Sequence, residues 1–291
     1  MCIRDSPRAC PRIWKTKNGK YLFWFHNHSG KDFLGRNPAW ISGGIEVDGH
    51  IHWSQPEILL YDPQCGDAVG KDGVRMSYPD LIEQDGRYWV SETQKSVARI
   101  HEIDAALFDT VWAQHTKKNI TRQGLALDVG PNDARGHVAM PRLPDLRKLG
   151  GFSIGLWIEG AKAGEGLFDA RDADGKGVAL VCIESGAVEL RMSDGPTDAR
   201  WASDADVLTA DGLHHIVATV DGGPKLITFV VDGALCDGGE QRQFGWGRFP
   251  AELGDVNGAA TVKRATAVKR ARVYGRYLLT SEAVANFRAG L

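Results

Sequence analysis

At 291 residues, 43% of them apolar and 25% charged, the chain can fill the cores of two domains or of one large β-domain. Its net charge of -2 and pI near 6.5 give no general attraction to nucleic acid or to an anionic membrane surface. No stretch approaches 18 uncharged apolar residues, so no transmembrane helix is expected.

The opening MCIRDS resembles translated sequencing-adapter sequence, and residues 1–10 are read as a non-native or truncated start without signal-peptide character. With Cys2 set aside, Cys10, Cys65, Cys182 and Cys236 show no CxxC spacing and no neighbouring histidine in a metal pattern, so no zinc site is expected. Cys182 and Cys236 lie in apolar strand-like runs. Buried thiols and a disulfide both stand open for them.

From Pro11 to Ile103 short β-runs alternate with turns: KYLFWFHNH, PAWISGGIEV, HIHWSQPEILLY, YPDLIEQ, RYWVSET and ARIHEI. Asn18-Gly19, Asp48-Gly49 and Asp85-Gly86 sit where two-residue hairpins of type I′ are expected. The spacing suggests about two four-stranded units, too few to close a radial architecture by themselves. Asp104 precedes AALFDTVWAQ, whose Leu107, Phe108 and Val111 recur at helical spacing, so one capped helix is predicted. A polar, basic stretch over 116–123 is read as a linker. Beyond it GFSIGLWIE, GVALVCIE, AVELRMS, LHHIVATVD and LITFVVDG predict a two-sheet sandwich. Within it His215, Val217 and Thr219 oppose Ile216, Ala218 and Val220. A closing helix, TSEAVANFRAGL, is expected with Ser281 as its cap and Glu282 in its first turn.

Two resemblances follow from these segments. DGLHHIVATVDGGPKLITFVVDG and RARVYGRYLLTSEAV resemble the laminin-G-like or concanavalin-A-like jelly roll, with Leu213 where a tryptophan is common. That likeness spans 124–291 and implies a sandwich fold that serves sugar binding, adhesion or packing. KTKNGKYLFWFHN, the Asp-box-like IEVDGHIHW and YPDLIEQDGRYWVSE resemble the C-terminal blades of a sialidase-like β-propeller, spanning 11–115. In IEVDGHIHW, Glu46 stands at the Asp-box serine and His50 at its glycine, and Pro79 follows Tyr78 where a small residue is usual. The resemblance implies an all-β chain, partial propeller blades followed by a jelly-roll sandwich. It also implies a glycoside hydrolase fragment acting on a glycan in an extracellular or periplasmic setting; the alternative is a non-catalytic glycan-binding or adhesion protein on the same folds.

By that resemblance Tyr78 stands at the tyrosine nucleophile, whose neutral phenol approaches an anomeric carbon beside a substrate carboxylate without charge repulsion. Packing of its ring is the structural alternative. Asp80 shares strand parity with Tyr78, and Glu92 ends the partner strand; both are candidate catalytic carboxylates, and the inverting alternative relies on them in place of the tyrosine. Arg36, in GRNPAW, offers a planar fork for a sugar carboxylate or hydroxyl pair. His26 and His28 flank Asn27 at i, i+2 on one strand face, a pattern suited to substrate contact and equally to structure, with a metal site as a weaker third reading that has no evident third ligand. Asp48 is expected to satisfy turn amides. No cofactor is expected. Asp255 and Asn257 of LGDVNG offer oxygen atoms to a structural calcium or, alternatively, make a turn, and the basic run 263–276 reads as a solvated strand face.

Overall fold

Asp48-Gly49 and Asp85-Gly86, each between apolar runs, turn two of the hairpins in the first half of the chain. The structure is a computed structural model that describes residues 10–26, 36–62, 76–94, 97–130, 133, 138–209, 212–242 and 244–291. The chain divides into two units, Met1–Lys117 and Lys118–Leu291.

In the first unit β1 (Arg12–Lys15), β2 (Tyr21–Phe25), β3 (Ala39–Val47), β4 (His50–Trp53) and β5 (Glu57–Leu60) form one antiparallel sheet, ordered β1-β2-β3-β4. Strand β5 pairs with the start of β3, beside the stretch that β4 leaves open. HIHWSQPEILLY is thus two strands rather than one run. Pro56 lacks an N–H, and Ser54 interrupts the ladder by exchanging hydrogen bonds with Gly43: its amide donates to the Gly43 carbonyl (2.7 Å) and its Oγ accepts the Gly43 amide (2.9 Å). The second sheet is a meander of β6 (Ser77–Gln84), β7 (Arg87–Gln94) and β8 (Val97–Ile103), followed by α1 (Ala105–Ala113). Asp104 caps α1 by accepting the Ala106 amide at 2.9 Å. One core joins both sheets to the helix, with Leu22, Trp24, Ile41, Val90, Phe108, Val111 and Trp112 buried in it.

Asp48-Gly49 and Asp85-Gly86 have positive φ at both residues, as type I′ turns require. Asn18-Gly19 differs from the expectation. Only Gly19 has positive φ, and the Thr16 and Lys20 backbones close a three-residue loop around it. The Asn18 side chain holds that loop by accepting the Lys20 amide at 3.0 Å and the Thr16 hydroxyl at 2.6 Å.

The second unit is a sandwich. Its strands are β9 (Leu125–Val129), β10 (Val138–Ala139), β11 (Gly151–Glu159), β12 (Gly166–Asp169), β13 (Gly177–Cys182), β14 (Val188–Ser193) and β15 (Asp198–Ala202). They continue with β16 (Leu213–Asp221), β17 (Leu226–Val231), β18 (Ala234–Leu235), β19 (Gly247–Arg248), β20 (Thr261–Arg264) and β21 (Val268–Tyr274), before α2 (Thr280–Ala289). One sheet runs β10-β20-β12-β13-β14-β15; the other runs β18-β17-β16-β11-β21-β9, with β19 added to β17. Ile216, Ala218 and Val220 point into the core between the sheets, as the alternation predicts. The opposite face of β16 is buried too: Val217 packs with Val230, Tyr274, Ala283 and Val284 beneath α2.

Ser281 does not cap α2. The helix begins at Thr280, and the Leu279 amide donates to Glu282 Oε2 at 2.9 Å while Arg276 grips the same carboxylate. A reciprocal acid replaces the hydroxyl cap. Cys182 and Cys236 are free, buried thiols, and burial pushes the Cys236 thiol up to about 12. The basic run is ion-paired rather than simply solvated: Asp128 takes Arg270 bidentately at 2.6 and 3.0 Å and Arg272 at 3.3 Å, and Glu159 takes Lys269 at 3.1 Å.

Candidate functional site

Strand β6 changes register between Ser77, which pairs with Thr93, and Asp80, which pairs with Ser91. Two residues, Tyr78 and Pro79, therefore stand opposite the single Glu92. This is a β-bulge, and it turns Tyr78 outward: its φ is +49° and 68% of its surface is exposed, while Ser77 and Pro79 on either side are buried. A bulky residue in the left-handed region costs on the order of 1–3 kcal/mol, so surrounding contacts hold it there. The Tyr78 hydroxyl has no hydrogen-bond partner among the described residues. Asp80 is also exposed, its Oδ1 accepting the Leu81 amide at 3.0 Å.

Arg36 is half-buried and donates through Nη1 to Ser77 Oγ, which ties it to the residue preceding the bulged tyrosine. Beside it the Asn37 side chain and the Asp62 backbone exchange two hydrogen bonds of 2.9 and 3.0 Å. Asp62 in turn receives Arg99 Nη1 at 3.4 Å.

Glu92 is 1% exposed, in line with Tyr88 and Val90 on the core face of β7. Its Oε1 receives Arg99 Nε from the directly opposed position on β8 and lies 3.3 Å from His101 Nε2. Its Oε2 and Arg99 Nη2 are both buried without a hydrogen-bond partner among the described residues. Burying a carboxylate is tolerable only with a charged partner, and Arg99 supplies it. The bulge, Arg36 and the Glu92 cluster thus meet along one polar seam of the first unit. Arg99, His101, Asp62 and Ser77 are the members that sequence reasoning missed. The signal for two of them is the ARIHEI strand, where Arg99 and His101 alternate on one face beside Glu92.

His26 is buried at the end of β2, edge-on to Trp24 with 5.6 Å between ring centroids. Asn27 and His28 lie outside the described residues. In the sandwich, Asn257 Oδ1 accepts the Leu143 amide at 2.7 Å, and Asp255 lies 3.7 Å from Arg142 and 3.8 Å from Lys176. No group of three or more His, Cys, Asp or Glu side chains converges among the described residues. No helix of the described residues is long and apolar enough to cross a membrane.

Two further ionisable groups of the sandwich are strongly perturbed. His215 packs against the rings of Trp157 and Phe287, which also stack on each other, and burial, with the positive charge of Arg272, lowers its pKa to about 3. Burial raises Asp221 to about 6 against the opposing hydrogen bond from the Gly223 amide. His214 makes a separate clamp, its Nδ1 at 2.7 Å from Asp232 Oδ2 and its Nε2 accepting the Thr209 amide at 3.1 Å.

No curated protein matches the sequence. Among solved structures, a carbohydrate-binding module of family CBM40 from the Ruminococcus gnavus IT-sialidase is 15% identical, covering 56% of this chain and 98% of that one at a TM-score of 0.38. The Trypanosoma rangeli sialidase in complex with sialic acid is 12% identical, covering 96% of this chain and 52% of that one at a TM-score of 0.38. A leech intramolecular trans-sialidase is 12% identical, covering 59% of this chain and 29% of that one at 0.35. Likenesses this distant carry no weight for function. The model of the concanavalin A-like lectin/glucanases superfamily matches residues 132–285, more than half of the chain and nearly all of the sandwich. With its two antiparallel sheets enclosing one core, the chain belongs to the concanavalin A-like lectin/glucanase superfamily.

Proposed function

We propose that the chain is part of a sialidase-like glycoside hydrolase acting on a glycan outside the cytoplasm. Its first unit would be propeller blades, and its sandwich a carbohydrate-binding or packing module. The observation that carries this reading is Tyr78: an exposed phenol, held at positive φ by a bulge, next to the serine that receives the Arg36 guanidinium. A tyrosine merely packing a strand needs neither the strain nor the exposure. In the proposed chemistry Tyr78 attacks the anomeric carbon and gives its proton to a carboxylate while the glycosidic C–O bond breaks and its oxygen leaves with a proton from an acid; water then displaces the tyrosine, and Arg36 fixes an acidic or hydroxyl group of the sugar. Asp80 is the exposed carboxylate nearest in strand position. Glu92 takes a positioning role, since a buried acid already committed to Arg99 anchors the seam from behind.

One observation favours the non-catalytic reading. Among the described residues no acid or base lies within hydrogen-bond reach of the Tyr78 hydroxyl, which suits an aromatic platform for a sugar ring. A panel of aryl glycosides, an aryl sialoside among them, offered to the full-length gene product separates the two. Loss of turnover on the order of 10³-fold or more in Tyr78→Phe supports the tyrosine nucleophile. Turnover that survives in Tyr78→Phe but not in Asp80→Asn supports the carboxylate alternative, and glycan binding with no turnover supports the binding protein.

A further inference from the structure

We propose that the sandwich carries a ligand site of its own, which takes the carboxylate of an acidic sugar between Arg191 and Arg200. The site is an open cleft of about 710 Å³ at the end of the six-stranded sheet, where the β12–β13 and β14–β15 connections lie. Its volume falls in the range of small-ligand sites. Leu190 and Met192 of β14 point into the core, so Arg191 and Ser193 project from the opposite face. Cross-strand pairing sets Arg200 directly against Arg191 and Asp198 against Ser193.

The ion pairs leave this arrangement incomplete. Arg171, on the rim, is held bidentately by Asp169 at 3.0 and 2.7 Å. Arg191 uses its Nε on Glu189 at 2.6 Å, which leaves its two terminal nitrogens for another acceptor. Arg200 is exposed and makes no ion pair among the described residues, and its strand position is directly opposite Arg191. Like charges at directly opposed strand positions disfavour one another, and Glu189 offsets Arg191 alone, so an anion shared by the free end of Arg191 and by Arg200 would relieve the remainder. A carboxylate is the group whose two oxygens match guanidinium forks. Around that position Asp174 and Asp198 line the cleft with side chains that have no partner among the described residues, and Ser193 adds a hydroxyl. Two acids beside the forks disfavour a polysulfated chain, yet they are good acceptors for hydroxyl groups. One carboxylate flanked by several hydroxyls is the chemistry of a uronic or a sialic acid.

The site is independent of the Tyr78 reading, so the test uses the whole chain carrying Tyr78→Phe. Calorimetric titration with methyl glucuronide and with the methyl glycoside of N-acetylneuraminic acid is set against the methyl ester of the glucuronide and against methyl glucoside. Saturable binding of at least one acidic sugar is expected, with ester and neutral sugar at least ten-fold weaker. Arg200→Ala is expected to weaken binding at least ten-fold without lowering the melting temperature, since Arg200 is exposed and makes no ion pair among the described residues for the substitution to break; Arg200→Lys falls between. The preferred acid identifies the sugar. Equal binding of acid and ester, undiminished binding by Arg200→Ala, or no binding of either acid up to about 10 mM, weaker than any useful affinity, would overturn the proposal.

Discussion

Strand β16 buries an imidazole and a carboxylic acid six residues apart, and burial pulls their proton affinities in opposite directions. His215, held to about 3, is neutral in the fold while the unfolded chain protonates it near 6.5, so its contribution to stability is present above 6.5 and lost as pH falls toward 3. Asp221, raised to about 6, binds a proton in the fold that the unfolded chain releases near 3.9, so its contribution is present below 3.9 and lost as pH rises through 6. Between pH 4 and 6 the two slopes cancel. Asp221→Asn keeps an oxygen for the Gly223 amide but removes the opposing titration. Its stability is expected to rise with pH across that window by up to about 1.4 kcal/mol per unit, where the parent changes little; urea midpoints at half-unit intervals check this. In the first unit Glu92→Gln leaves Arg99 facing a neutral amide in a buried seam, and a loss of about 1–3 kcal/mol is expected. Tyr78→Phe, exposed and without a hydroxyl partner, should leave the same urea midpoint unchanged.

At the scale of elements, the contact of α1 with β3 depends on an absent side chain. A Cβ at Gly43 would stand 2.7 Å from Val111 Cγ2, 2.8 Å from Trp112 Cδ1 and 3.1 Å from the Trp112 backbone nitrogen. The indole is pinned by donating from Nε1 to the Tyr21 carbonyl at 2.8 Å, so it cannot simply swing away. Gly43→Ala is expected to lift the helix from the sheet at a cost of about 1–3 kcal/mol. Faster hydrogen exchange confined to α1 and β3 is the readout, and unchanged protection there refutes the packing argument. The helix was legible in the sequence because Asp104 and the Phe108/Val111 spacing are local signals, and the Asp-Gly hairpins were legible for the same reason. Asn18-Gly19 was not, because its loop length is set by Thr16 and Lys20 closing around it. The α2 cap was missed because Glu282 answers to Arg276 as well as to its own helix.

Over the whole molecule, local pattern revealed the strands, and long-range pairing decided what they do. The alternation in His214–Val220 forecasts the sandwich core, but no local signal announces that α2 covers the other face of that strand, or that Arg200 meets Arg191. Likewise Tyr78, Asp80 and Arg36 were visible as residue types in a familiar context. The bulge that exposes Tyr78 and the burial of Glu92 depend on register, which one strand cannot specify alone. The same distinction separates the two units. The sandwich fills its own core and covers the outer face of β16 and β17 with a helix, and four of the eleven large apolar side chains exposed among the described residues belong to it: Leu149, Leu213, Tyr277 and Leu291. The shorter first unit exposes the other seven, among them Ile82, Val97 and Ile100 on its three-stranded meander. Exposed apolar side chains on a short meander whose edges are unpaired among the described residues call for covering partners. Expressed alone, residues 118–291 should therefore unfold in one cooperative transition within a few degrees of the sandwich transition in the whole chain, while residues 10–117 alone should bind a hydrophobic dye and associate. A sandwich that loses its transition when separated would show that its core does not suffice, and a monomeric, dye-silent first unit would show that its exposed strands need no cover.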